Sequence, residues 1–535
     1  MRYELLVPKI LEGAAVRFPK KEIVTRVGEG THRYTYADMF ARTTRLGNAL
    51  RELGVGVGDR VGTFAWNNYR HLEAYFAPSI IGAAVHTINI RLAQDDMAYI
   101  INHAGDKALL IDPDLAPLIE AIADRLPNVQ HYVIMGEPDE VTTTLPGAVS
   151  YETLLAAASP EYQPQYVDEY DTMGLCYTSA TTGMPKAVAY SHRAVYLHSM
   201  AAAMTDMFEL SERDKVMAVV PMFHANCWGL PFVTTLVGAG QVFPGVRPDP
   251  RIICELIEQE GVTLSGGVPT IWIGVLDYLN RSGVEYDLSS LKRLVSGGSA
   301  VPLAILQAYR DRLGVEIIHA YGMTEAAPLI SVNRRRSWLD SMSPQEQLEL
   351  CAKQGTVAPG VETKLVDENG EEAEWDGQQR GELWFRGPWI AGEYVDDERS
   401  DETFVDGWYH TGDIASIDPD GYIQIVDRVK DMVKSGGEWI SSVDLESAIM
   451  AHPEVLEAAV IAVPHPQWQE RPLACVVQRS ESTAQLTKET ILEFIEPNFA
   501  RWWLPDDVVF IDEIPKTSVG KFDKKVLRER FESHV

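Results

Sequence analysis

Tyr177-Thr178-Ser179-Ala180-Thr181-Thr182-Gly183-Met184-Pro185-Lys186-Ala187 follows the apolar run Met173 to Cys176. Hydroxyls, a glycine and a lysine crowded into so short a stretch make a loop rich in donors for phosphate oxygens. It is not a Walker loop, because Gly183 and Lys186 are separated and no Gly-Lys-Ser/Thr occurs. Taken alone, a solvated Ser/Thr loop fits the same residues.

Working outward, the chain repeats one unit. Thr35-Tyr36-Ala37-Asp38 reads as a helix cap, and Met39, Thr43, Leu46, Leu50 and Leu53 then recur with the helical period. Gly54-Val55-Gly56-Val57-Gly58-Asp59 ends that helix and leads to a strand through Val61 and Ala65. Its glycines have the wrong spacing for a dinucleotide fingerprint and precede a strand, so they read as a turn. Ala108 to Ile111, Val262 to Ser265 and Leu291 to Val295 read as further strands. Pro269 and Pro302 open the helices after the last two, as proline does at strand-to-helix junctions. The expectation is an α/β body of largely parallel, doubly wound sheets. From Gly377 to Asp431 the pattern changes to short β runs, Gly381 to Phe385, Gly407 to Tyr409 and Gly421 to Ile423, which predict a small β-barrel-like subdomain. A domain boundary is placed near Lys430, and about 100 residues of α+β alternation follow it.

Composition narrows the function. The 535 residues carry 77 acidic against 47 basic side chains, a net charge of −30, with 46% hydrophobic residues, a globular balance. Such a field repels nucleic acid, and any anionic small substrate requires a local cluster of cations. Met1 to Pro19 is broken by Glu4, Lys9, Glu12 and Arg17 and makes no secretory signal. No apolar stretch approaches the roughly 18 residues of a spanning helix, and a cytoplasmic location is expected. Cys176, Cys227, Cys254, Cys351 and Cys475 are widely spaced with no Cys-x-x-Cys pair, and are expected to be reduced and buried.

Three more segments carry chemistry. In Tyr321-Gly322-Met323-Thr324-Glu325 an aromatic ring beside glycine can stack on a flat base, and the carboxylate can hold a hard cation such as Mg²⁺. In Gly407 to Asp413, followed by Asp427-Arg428-Val429-Lys430-Asp431, Asp413 can accept two ribose hydroxyls and Arg428 can support the sugar or its phosphate. In Pro515 to Lys524, Gly520 allows a movable turn that presents Lys521. Each alone also fits packing, a surface ion pair or a basic tail.

The order of the four segments, with Lys434-Ser435-Gly436-Gly437-Glu438-Trp439-Ile440, resembles the adenylate-forming superfamily of acyl-CoA synthetases, luciferases and adenylation domains, from about Tyr34 to Arg528. Pro221 to Trp228 and Lys434 to Ser442 look most like bacterial long- or medium-chain fatty acid CoA ligases. The resemblance implies residues 1–430 as the domain holding ATP and the acid, and 431–535 as a mobile domain carrying the lysine. It assigns Thr178, Ser179, Thr181, Thr182, Gly183 and Lys186 to the β/γ-phosphates, and Thr181 and Glu325 to Mg²⁺. Gly298, Ser299, His319, Ala320, Tyr321 and Gly322, with Met323 and Thr324 beyond them, line the adenine pocket. Asp413 and Arg428 take the ribose, and Lys521 bridges the α-phosphate and the attacking carboxylate. Lys430 is the pivot, while Lys434, Ser435, Gly436, Gly437 and Trp439 belong to the CoA side. Lys186, Arg428, Lys434 and Lys521 are the local cations, and His224 and Trp228 gate the acyl tunnel. CoA is the second substrate, a homodimer the expected assembly. Gly229 to Thr235 has no acid for an α-ammonium and no tryptophan accompanies Tyr321, which leaves a fatty or other apolar acid. An aryl or short sulfur-containing acid is the alternative. Ala180 and Ala187 stand where the family has glycine, which motivates a non-catalytic acyl or nucleotide sensor as the reading from another class.

Overall fold

The computed structural model describes residues 1, 3–178, 184–428, 431–435, 438–479, 486–518 and 520–532. Ser179, Ala180, Thr181, Thr182, Gly183, Lys430, Gly436 and Gly437 lie outside the described residues. Among those described, four sheets organise the chain.

Two large sheets build the body. One runs Val149–Ser150, His131–Ile134, Asp106–Ile111, Arg60–Phe64, Ala84–Thr87, Thr172–Tyr177 and Ala187–Ser191, and is parallel except at its last pair. The other runs Thr356–Val357, Leu329–Val332, Glu316–Gly322, Arg293–Gly297, Leu264–Gly267, Lys215–Ala218, Gly240–Phe243, Glu22–Val27 and Gly30–Thr35, with antiparallel pairs only at its two edges. Inner strands such as Ala84–Thr87 and Leu264–Gly267 are buried along their whole length, as parallel sheets covered on both faces require. The helix Tyr36–Glu52 starts on the predicted cap. The Thr35 hydroxyl accepts the Asp38 N–H, and the Asp38 carboxylate accepts the Thr35 N–H. Its Leu46 and Leu50 pack with Ile80, Val61 and Leu110 into the core between helices and sheet.

Two strands begin later than the apolar runs suggest: Leu264 rather than Val262 and Arg293 rather than Leu291. Val262 and Leu291 are buried in the approaches to the strands, so hydrophobicity starts before the ladder does. The strand Glu316–Gly322 runs through Tyr321 to Gly322. Tyr321 and Gly322 are therefore part of the sheet.

The subdomain predicted from Gly377 begins earlier, at Glu362–Val366, and is a five-stranded antiparallel sheet with Gly381–Arg386, Phe404–Val405, Trp408–Ile417 and Ile423–Arg428. The fourth sheet is drawn wholly from residues beyond Asp431: Glu438–Ile440, Val433–Ser435, Gln469–Gln478, Val455–His465 and Asp507–Phe510. With the helices Ser442–Met450 and Lys488–Ile495 it encloses its own core of Val433, Leu445, Ile449, Val460, Val476 and Ile491. This is a separate C-terminal α+β domain. The five cysteines are free; four are buried, but Cys351 is half-exposed near the end of the helix Pro344–Ala352, which corrects the expectation for that residue.

Candidate active site

Open α/β sheets place ligands beyond the carboxyl ends of their strands. Here three such ends converge: Thr178 after Thr172–Tyr177, Gly298 after Arg293–Gly297, and Tyr321-Gly322 ending Glu316–Gly322. All four border a cavity of about 640 Å³, together with Lys186, His224, Trp228, Ala320, Met323, Thr324, Glu325, Arg428 and Lys521. A second cavity of about 260 Å³ adjoins it, bordered by Ser299, His319 and Asp413 of the body and by Glu446 and Lys524 of the C-terminal domain.

Two glycines are dictated by the geometry. A Cβ on Gly322 would stand 2.1 Å from the Pro328 carbonyl oxygen, so no side chain fits. Gly298 has φ +82°, and a Cβ there would lie 2.9 Å from Cε of Lys521.

Asp413 borders the second cavity and is held there by two partners. Antiparallel pairing of Trp408–Ile417 with Ile423–Arg428 sets Asp413 opposite Arg428. The Arg428 Nε donates to Asp413 Oδ1 at 3.2 Å, and the Tyr321 hydroxyl donates to Oδ2 at 2.6 Å. Asp413 holds the Arg428 guanidinium above its ordinary pKa, and burial pushes the Tyr321 phenol up. Tyr321 is thus locked from both sides, its hydroxyl on a carboxylate and its ring beside the cavity.

On the wall of the larger cavity, Glu325 is buried and its Oε1 accepts the Tyr394 hydroxyl at 2.7 Å. Lys186 Nζ stands 4.0 Å from the centroid of the same Tyr394 ring, and burial lowers its pKa. One tyrosine therefore spaces the carboxylate from the ammonium. Glu325 offers hard oxygen at the cavity wall, a donor that suits Mg²⁺.

Lys521 projects from the C-terminal domain into this cavity. Burial and the nearby Arg428 lower its pKa to about 8. His224 faces it, and burial together with the Lys521 ammonium lowers the imidazole to about 3, so it is neutral throughout the working range.

His224 and Trp228 flank an unusual backbone. Ala225, Asn226, Cys227 and Trp228 have φ of 42°, 49°, 53° and 57°, a single left-handed turn of non-glycine residues. Each such residue costs roughly 1–2 kcal/mol, so the turn needs anchoring. Asn226 is 2% exposed, and its Oδ1 accepts the Cys176 thiol at 3.3 Å and the Thr87 hydroxyl at 3.4 Å. The Cys227 thiol donates to the Val220 carbonyl. These bonds fix the half-buried Trp228 against the cavity.

Lys434, Ser435 and Trp439 border neither cavity. They lie on the hairpin Val433–Ser435 with Glu438–Ile440 at the edge of the C-terminal sheet. Lys434 Nζ stands 5.3 Å from the Trp439 ring centroid, and Ser435 accepts a bond from Arg471. Lys434 is therefore not one of the cations gathered at the cavity, contrary to expectation. His319 borders the second cavity with its Nδ1 turned 2.9 Å from the Ala352 carbonyl, so it supports the wall. Ala187 is a buried strand residue packed against Ala84 and Leu175, where extended backbone makes no demand for glycine.

Sequence reading missed Tyr394, Asn226 and Glu382. Glu382 accepts the Gly412 N–H at 2.8 Å and holds the backbone beside Asp413. An asparagine in a run that must turn left-handed was the available signal for Asn226. Tyr394 and Glu382 have their roles only through partners distant in sequence.

A cavity bordered by Glu325, Lys186 and Arg428, with Asp413 on the adjoining one and Lys521 delivered to both by another domain, is the arrangement of the adenylate-forming class. The chain belongs to the AMP-binding enzyme family, whose model matches residues 11–395, with the family's C-terminal domain matching 444–521. It is 49% identical over 538 residues to a long-chain-fatty-acid–CoA ligase of Thermus thermophilus, covering 100% of this chain and 97% of that one. It is 42% identical over 533 residues to a 3-methylmercaptopropionyl-CoA ligase of Ruegeria lacuscaerulensis, covering 99% and 98%. The crystal structure of the anthranilate CoA ligase AuaEII in complex with anthranoyl-AMP superposes with a TM-score of 0.89 at 28% identity, covering 99% and 98%.

Proposed function

We propose that the chain is an ATP-dependent, AMP-forming acyl-CoA ligase for medium- to long-chain fatty acids. A carboxylate oxygen attacks the α-phosphorus of ATP, pyrophosphate leaves, and the acyl-adenylate then passes its acyl group to the CoA thiol with release of AMP. The observation that carries this reading is Lys521 standing in the cavity that Asp413, Arg428 and Tyr321 border from the ribose side.

In the first step negative charge grows on phosphoryl oxygens, so fixed cations supply most of the acceleration. Lys521 neutralises the α-phosphate and the incoming carboxylate together, which otherwise repel. Lys186 acts on the β/γ side, with Thr178 and the loop residues Ser179, Thr181, Thr182 and Gly183. Glu325 with Thr181 would hold Mg²⁺, which supplies further charge neutralisation when bound. Asp413, Arg428 and Tyr321 keep the nucleoside fixed through both steps. The second step needs the Lys521 turn withdrawn, by movement of residues 431–535 about Lys430, so that Lys434, Ser435, Gly436, Gly437 and Trp439 come to the thiol.

The acid preference is supported by Phe208, Ala225, Trp228, Pro328 and Leu329 on the cavity wall, all apolar, beside an uncharged His224. Each buried CH₂ contributes about 0.8 kcal/mol, nearly fourfold in affinity. A short sulfur-containing acid is the second reading, supported by the Ruegeria relative's name and by the indole of Trp228 standing in the cavity. A cytoplasmic location and a homodimer are part of the proposal; among the described residues no helix is long and apolar enough to cross a membrane.

A panel of acetate, 3-methylthiopropionate, octanoate, palmitate and benzoate, assayed for acyl-CoA and AMP, tests the reading. Rising kcat/KM from acetate through octanoate supports it. A maximum at 3-methylthiopropionate selects the second reading, and no AMP with any acid sinks both.

A further inference from the structure

Lys521 sits in a tight hairpin. Lys516 bridges Phe522, the Thr517 N–H donates to the Lys521 carbonyl at 2.7 Å, and the Gly520 N–H donates to the Thr517 carbonyl at 2.9 Å. That turn can orient the ammonium only if its crown is itself held, and three side chains of the body hold it.

Asn89 Nδ2 donates to the Ser518 hydroxyl at 2.8 Å, and Arg91 Nη1 donates to the Ser518 carbonyl at 2.8 Å. From the opposite flank, the Thr270 hydroxyl donates to the Gly520 carbonyl at 3.0 Å. Asn89 is itself oriented, since its Oδ1 accepts the Arg91 N–H at 3.0 Å, which leaves its amide nitrogen facing Ser518. Asn89 and Arg91 follow the strand Ala84–Thr87, and Thr270 stands in the first turn of the helix Pro269–Arg281. The Arg91 guanidinium lies 5.8 Å from the ring of Phe223, the neighbour of His224. None of the three borders either cavity, so they touch the turn and not the substrates.

We propose that Asn89, Arg91 and Thr270 form a clasp that seats the Lys521 turn for acyl-adenylate formation and plays no part in thioester formation. They are positioning residues acting through Lys521, and the inference rests on the two-step ligase reading above. The clasp is small: three hydrogen bonds between side chains and one turn, one of them from the exposed Arg91. Few and peripheral bonds suit a contact that must form and release in every turnover, because each contributes modestly to the closed state.

The test separates the half-reactions. Acid-dependent exchange of pyrophosphate with ATP reports the first, and conversion of supplied acyl-adenylate to acyl-CoA reports the second. Arg91→Ala should slow the first about tenfold and leave the second within about twofold, with Arg91→Lys recovering part of the loss. KM for ATP should hold within about twofold, because the clasp does not touch nucleotide. Asn89→Ala and Ser518→Ala should each slow exchange about threefold, and the double variant should be no slower than Asn89→Ala alone, since that change already removes the bond to Ser518. Equal losses in both half-reactions, or independent multiplying losses in the double variant, would overturn the clasp. If Arg91→Ala fails to fold, the Asn89 and Ser518 cycle decides alone. A wild-type protein that catalyses no exchange with any acid would instead sink the ligase reading beneath it.

Discussion

The two sides of the cavity are built on opposite principles. On the body side Tyr321, Asp413 and Arg428 come from strands of two sheets, and Asp413 is 4% exposed with a partner on each carboxylate oxygen. On the other side Lys521 stands on a turn of a domain with its own core, and three side-chain hydrogen bonds tie the crown of that turn to the body. A buried carboxylate satisfied on both oxygens specifies one arrangement and resists change. A lightly held turn does the reverse. Under the proposed reaction, the contrast separates what both chemical steps need, a nucleoside held still, from what only the first needs, a cation on the α-phosphate.

The sharpest way to break this contrast is Lys521→Ala. It should lower adenylate formation about a hundred- to a thousand-fold, the scale of losing a preorganised charge partner, and spare thioester formation from supplied adenylate. Loss of both steps would erase the division of labour. Asp413→Ala should be nearly as severe but indiscriminate. It strands the Arg428 charge and the Tyr321 hydroxyl, so ATP binding should fall on the order of tenfold to a hundredfold and both half-reactions should suffer. Calorimetric titration with ATP checks the first part.

The contrast is also legible in pH. Because Lys521 titrates near 8 in the free protein, its ammonium fraction falls as pH rises through that value. The kcat/KM for ATP in the exchange reaction should therefore drop above pH 8, approaching tenfold per unit. Lys521→Arg is slower but cannot lose its charge in this range, and its profile should lack that limb. His224, at about 3, should contribute no acid limb above pH 5. Smaller again, Tyr394→Phe removes one hydrogen bond to Glu325 and should slow adenylation about fivefold. Ala180→Gly should change turnover by no more than about threefold, and a clear fall would mean that alanine is matched to its surroundings.

What could be read beforehand follows the same division. The Thr35 cap, the proline-led helices and the ends of the parallel strands are local signals, and the structure repeats them to within two or three residues. The proposed ribose grip is half legible: Asp413 and Arg428 stand out in their segments, but their pairing depends on strand register. Tyr394 and Asn226 escaped because their work is done with Glu325, Lys186, Cys176 and Thr87, far off in sequence. Lys434 is grouped with the local cations through the resemblance, and the strand pairing of Val433–Ser435 with Glu438–Ile440 sets it away from both cavities. Cavity formation by separated chain segments has no period or spacing to betray it.

The central claim is that Lys521 meets the reacting phosphate while the body holds the nucleoside. A crystal structure with a non-hydrolysable acyl-sulfamoyl adenosine tests it most directly. The account predicts Lys521 Nζ within about 3 Å of the sulfonyl oxygens that replace the phosphate, with both ribose hydroxyls on Asp413. An ammonium turned to bulk solvent in that complex, combined with full activity of Lys521→Ala, would contradict it.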